Sequence, residues 1–148
     1  VKDINLQYAI SDSNNEVELF FYHNRAAKNT ISKDFGAGAK SIKKIKTITL
    51  NQVLNINNIQ SRIDFLTIDV EGNEMNVLKG FDLNKYNPTL IMLEFIEPGV
   101  KEFYDKNIQR VQNSEIYKYL IKNNYKLINW NHDDLLFISN DYKKHLDY

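Results

Sequence analysis

Two carboxylates, Asp69 and Glu71, close a short apolar run from Phe65 to Ile68 and are followed at once by Gly72. The run is too short for a core helix and reads as a strand buried on both faces, the pattern of a parallel sheet. Acids at the carboxyl end of such a strand lie where open α/β sheets place their binding sites. Two close carboxylates push one pKa upward, which suits a general base near neutral pH, and they can equally hold a divalent cation through oxygen ligands. Gly72 lets the backbone turn sharply or approach a ligand closely. The alternative is that Asp69 caps the helix that follows, but a cap does not account for a second acid two residues later. A third acid, Glu94, ends a second buried strand within Thr89 to Phe95. A charge there is costly unless paired or wet, so Glu94 either edges the same site or pairs with a neighbouring Lys or Arg.

The elements that must position these acids can be read in chain order. Ile4 to Ile10 and Val17 to Tyr22 read as two strands joined by the turn-forming Ser11–Asn15 cluster, a predicted hairpin. Residues 23 to 40 show no sustained period and read as a long loop, a class that leans functional in compact domains. Gly36 and Gly38 in that loop follow no buried strand, so they make no phosphate loop. Ser41 to Lys46 reads as a half-exposed strand whose lysines form a solvated face. Thr49 begins a short helix with Leu50, Val53 and Leu54 on one side. The central strand follows, then a helix from Asn73 to Lys79 stopped at Gly80, then the second strand, broken after Glu97-Pro98-Gly99. Residues 100 to 112 suggest a helical turn around Phe103 and Tyr104. Asn113 or Ser114 caps a clearer helix from Glu115 to Asn123 whose tyrosines fit core or snorkelling roles. Tyr125 to Trp130 and Leu135 to Ser139 form a terminal hairpin turned by Asn131–Asp134, and residues 140 to 148 read as a frayed tail. Strands alternating with helices predict an α/β domain with a largely parallel sheet.

With 148 residues the chain suits one domain with one core. Its net charge of zero offers no bulk attraction for nucleic acid or an anionic membrane. It has no cysteine, which excludes a disulfide framework, a thiolate metal site and a thiol nucleophile. His23, His132 and His145 are not spaced as a metal pair, and no metal site is assigned. No apolar run reaches membrane-spanning length and Val1–Ile4 is no signal peptide, so a cytoplasmic location is expected. Nothing in the sequence specifies an oligomeric state.

Residues 63 to 80, with Asp69, Glu71, Gly72, Glu74, Val77, Leu78, Lys79 and Gly80, together with the 88–95 run ending in Glu94, resemble the signature of the FkbM family of methyltransferases. Weaker similarity runs from the amino terminus to about residue 139. The resemblance implies a class I methyltransferase sheet, Rossmann-like and mostly parallel, with an antiparallel carboxyl-terminal hairpin. The central strand would be its fourth and the Glu94 strand its fifth. It implies S-adenosylmethionine as cofactor and a small-molecule or sugar hydroxyl as acceptor. In that frame Asp69 positions the acceptor or the cofactor, and Glu71 is the better candidate for a base or acceptor ligand. The Ala9-Ile10-Ser11-Asp12 stretch resembles the family's element after its third strand, where Asp12 would touch the nucleotide; a turn-forming Asp is the alternative. The family's cofactor site begins with a strand and a Gly-rich turn, then a strand ending in an acid for the ribose, and neither is present. The chain is therefore expected to be a single partial domain truncated at its amino end, and its start at Val1 rather than Met suggests an excised piece.

Two other readings compete. Asp69-Val70-Glu71 resembles the Asp-x-Asp strand end of haloacid-dehalogenase-like, magnesium-dependent phosphatases, with Asp133 and Asp134 as a later acidic pair. However, Glu replaces the second Asp, and Asn73 stands where that family prefers Thr or Val. The non-enzymatic reading is an α/β scaffold or partner subunit.

Overall fold

The computed structural model describes residues 3–22, 28–96 and 107–142. The order of elements is β1 (Ala9–Ile10), β2 (Glu16–Phe21), β3 (Ser41–Ile48), α1 (Leu50–Ile56), β4 (Phe65–Ile68), α2 (Glu74–Lys79), α3 (Leu83–Tyr86), β5 (Leu90–Glu94), α4 (Ile108–Asn113), α5 (Glu115–Lys122), β6 (Tyr125–Asn131) and β7 (Asp134–Ser139). The strands form two sheets, ordered β1-β3-β2 and β4-β5-β7-β6. The predicted turn at 97–99, the helical turn at 103–104, His23, His145 and most of the tail lie outside the described residues.

The βα units formed as their residues dictate. Thr49 accepts from the Gln52 backbone and Gln52 reaches back to the Thr49 N–H, a reciprocal cap that starts α1. Ser114 caps α5 by accepting from the Tyr117 N–H at 3.1 Å. β4 and β5 are adjacent and parallel, with Phe65 opposite Leu90 and Ile68 opposite Leu93. β5 then pairs antiparallel with β7, and β7 with β6, the predicted terminal hairpin, with an irregularity between Leu127 and Asn129. His132 sits in its turn at φ 52.

Three expectations are corrected. The sheets are mixed rather than mostly parallel: β1/β3 and β4/β5 are parallel, while β2/β3, β5/β7 and β6/β7 are antiparallel. The predicted 4–22 hairpin does not form. β3 lies between β1 and β2 and pairs with both, and the Thr47 hydroxyl binds the intervening turn at Ser13 O, 2.7 Å, and Asn15 N, 3.0 Å. β3, a strand of eight residues, offers both of its edges, whereas residues 3–8 pair with nothing regular. Finally, β4 is not buried on both faces. It is the edge of its sheet, with Ile68 buried but Phe65 49% exposed.

The core sits on one face of the four-stranded sheet. Strand alternation sends Ile68, Ile91, Leu93, Leu135 and Phe137 to that face, against Leu54, Val77, Leu78 and Leu120 from the helices. Phe81 stacks on Tyr86 with centroids 5.4 Å apart, and the Tyr86 hydroxyl donates to Asn55 at 3.2 Å. Tyr125 donates to the Pro88 carbonyl at 2.9 Å, tying the hairpin to the start of β5. Among the described residues no helix is long and apolar enough to cross a membrane.

Candidate functional site

β4 and β5 run side by side and finish together, so their carboxyl ends deliver Asp69 and Glu94 to one place. Between β4 and α2 the chain makes a tight turn in which Glu71 (φ 54) and Gly72 (φ 92) both take left-handed backbone conformations. Glycine adopts it freely, but a residue with a Cβ such as Glu71 is uncommon there and needs outside support. Three groups supply it. The Glu74 carboxylate, 4% exposed, accepts the Val70 and Gly72 N–H groups, each at 3.1 Å. The Thr30 hydroxyl donates to the Glu71 carbonyl at 2.6 Å. The Phe35 ring lies against Gly72 where a Cβ would otherwise project.

The turn brings Asp69, Glu71 and Glu94 together, with one carboxylate oxygen of each within 4.8 Å of the other two. Carboxylates this close disfavour one another's charged form, and oxygens at this spacing are within reach of a common hard divalent cation. Burial first, and then the charges of Asp69, Glu71, Glu74 and Asp133, together raise the Glu94 pKa from 4.5 to about 8. One oxygen of Glu94 is fully shielded and has no hydrogen-bond partner among the described residues. Among the described residues no Lys or Arg pairs with Glu94, so that alternative is not realised there. Glu71 is also raised, first by burial and then by Asp69, with Lys28 opposing. Glu74 is raised by burial, against which its own backbone hydrogen bonds work.

These shifts make stability depend on pH. Folding favours the protonated Glu94 carboxyl, so its contribution is complete below about pH 4.5 and disappears as pH rises through about 8. Solvent screening of a partly exposed group reduces the full linkage value to about 1–2 kcal/mol. Glu94→Gln, which is neutral at every pH, should match the wild type at pH 4 and exceed its stability by about that amount at pH 9. Urea unfolding at the two pH values measures the difference.

Two cavities flank the turn. The larger, about 590 Å³, lies on the Asp69 side, bordered by Ile10, Thr30, Ile45, Lys46, Val70 and Asn73 among others. The smaller, about 350 Å³, lies on the Glu94 side, bordered by Asp34, Phe35, Gly72, Glu74, Phe95 and Glu115 among others. Residues 28–40, the described part of the predicted long loop, pass between them and contribute walls to both.

The remaining predicted residues fall elsewhere. Asp69 is not a helix cap, because Asn73 occupies the N-cap position of α2. Asp12 is exposed and accepts from Ser13 Oγ at 2.6 Å. Its backbone packs on Gly80 at the far end of α2, so the structure does not bring it to the three acids. Asp133 belongs to the terminal hairpin turn, and its carbonyl accepts the Phe95 N–H at 2.6 Å beside Glu94. Two further residues belong to the site, Glu74 and Thr30. Glu74 carried a readable signal, an acid in the first turn of a helix behind a glycine. Thr30 carried none, because its contact spans 41 positions.

A family model described as the methyltransferase FkbM domain matches residues 1–127. No curated protein and no solved structure matches the chain.

Proposed function

The chain belongs to the FkbM methyltransferase family, and from that premise we propose that it transfers a methyl group from S-adenosylmethionine to a hydroxyl of a small molecule or sugar at the Asp69–Glu71–Glu94 centre. The observation that carries the placement is the convergence of these three carboxylates at the carboxyl ends of two adjacent parallel strands, the position at which open α/β sheets bind ligands.

The larger cavity suits the charged end of the cofactor. It sets the Asp69 carboxylate against apolar walls from Ile10, Leu19, Ile45 and Val70, an environment matched to a sulfonium flanked by carbon chains. Bound there, the cofactor supplies an electrophilic methyl group. The chain's own carboxyls then divide the proton work, because their surroundings push them apart. At neutral pH Glu94 is largely protonated and offers a hydroxyl proton to orient the acceptor oxygen. Glu71, raised above an ordinary carboxylate, is a stronger base for the acceptor proton. The long loop, through Thr30 and Phe35, helps wall the reacting groups from water. A methyl-labelled cofactor incubated with a panel of hydroxylated small molecules and sugars tests the reading. Label must appear in an acceptor together with an equal amount of S-adenosylhomocysteine, and no transfer to any hydroxyl acceptor in the panel counts against it.

Among the described residues no buried strand runs into a glycine-rich turn that would cradle the nucleotide. Gly36 packs on the Phe20 ring and Gly38 has open space around it. This 148-residue chain alone should therefore bind S-adenosylmethionine with a Kd weaker than about 0.1 mM, about −5.5 kcal/mol. Calorimetric titration reads this directly, and micromolar binding would show that another part of the chain cradles the nucleotide.

A further inference from the structure

We infer that Thr30 is a positioning residue for the reaction, its hydroxyl holding the Glu71 backbone so that the Glu71 carboxylate meets Asp69 and Glu94. Thr30 is 2% exposed and fully committed. Its backbone exchanges two hydrogen bonds with Phe20, Phe20 N–H to Thr30 O at 2.8 Å and Thr30 N–H to Phe20 O at 3.3 Å, which anchors it to β2. Its hydroxyl oxygen accepts the Ser32 N–H at 2.9 Å and donates its own proton to the Glu71 carbonyl at 2.6 Å. The carbonyl it holds belongs to a residue at φ 54, followed by Gly72 at φ 92.

A peptide with that geometry relaxes readily once one anchor is lost. The Glu74 carboxylate secures only the N–H groups on either side, at Val70 and Gly72. The Glu71 carbonyl is secured by the Thr30 hydroxyl. Valine has the shape of threonine without the donor, so Thr30→Val leaves that carbonyl and the Ser32 N–H without this partner while keeping the packing. The groups that set the charge around Glu71 are Asp69 and Glu74, which repel it, and Lys28, which attracts it. Glu94 additionally feels Asp133. Rotation of Glu71 away from this cluster removes one negative charge from beside Glu94.

Carbon-13 NMR titration of carboxyl-labelled glutamates, in chelator-treated buffer, tests the inference. In the wild type Glu94 should titrate at about 8. In Thr30→Val its midpoint should fall by about one unit, the scale of one lost close charge. Thr30→Ser, which keeps the hydroxyl, should stay near the wild type. A residue that only filled space would lower thermal stability in both variants without separating their midpoints. An unchanged midpoint in folded Thr30→Val overturns the inference. If that variant does not fold, Thr30→Cys, similar in size with a weak donor, takes its place; a midpoint equal to that of Thr30→Ser overturns the inference equally. The inference rests on the role proposed for Glu71, and methyl transfer by the same variants separates the two failures. A shifted midpoint with undiminished transfer keeps the positioning and removes Glu71 from the chemistry.

Discussion

Glu71→Gln and Asp69→Asn should each lower the rate of methyl transfer by about a hundredfold to ten-thousandfold, the contribution of a positioned acid or base. That is about 2.7–5.4 kcal/mol in the barrier. Their stability should hold or rise slightly, because each removes a negative charge from three carboxylates within 4.8 Å. The competing role for Asp69, a helix cap, predicts the reverse: a loss of about 1 kcal/mol in folding and normal turnover by the folded fraction. Asn73 already stands at the N-cap of α2, so the structure favours the first outcome for Asp69. Rate and urea midpoint measured on the same preparations decide between them. A Glu71 variant whose lost rate returns at higher pH identifies Glu71 as the base, with Asp69 then a positioner.

The largest effect on folding should come from Gly72→Ala. At φ 92 an L-residue is strained whatever the space around it, and here the added methyl would also run into the Phe35 ring. Strain of about 1 kcal/mol and overpacking of about 1–3 kcal/mol together predict a loss of about 2–4 kcal/mol. Phe35→Ala made together with Gly72→Ala should recover the overpacking part and leave the strain. A double-mutant cycle by denaturant unfolding would show coupling of at least about 1 kcal/mol between the two sites. Purely additive losses would mean that the ring moves aside without penalty.

The centre of the fold was legible because its signals are local. The apolar runs at 65–68 and 90–94, with a helical crossover between them, read as a parallel pair, although the second short helix of that crossover, α3, went unread. Thr49 and Gln52 wrote the α1 cap, and Asn131–Asp134 wrote the terminal turn. The amino-terminal sheet was not legible in the same way. Residues 4–10 alternate as a strand does, yet the partner that pairs with β1 lies more than thirty residues on, with Ala9 opposite Thr47, and periodicity carries no information on partner choice. Exposure of β4 was missed for a related reason: an apolar strand at a sheet edge has the same composition as one at the centre. For the site, Asp69, Glu71 and Glu94 were visible as acids at strand ends. The groups that hold them in place were not, since Thr30 and Phe35 act from a segment without any regular pattern. Asp12 was chosen by its place in a motif, and the chain leads it to the opposite end of α2.

The most direct test of the account is to map S-adenosylmethionine onto the backbone of nitrogen-15-labelled protein by NMR, at cofactor concentrations high enough to detect weak binding. The shifted amides should cluster at Asp69, Val70 and Asn73 and extend to Ile10 and Thr30 around the larger cavity, and S-adenosylhomocysteine should shift the same set. Shifts centred on Asp12 and Gly80, or none at all beyond those produced by adenosine, would contradict it.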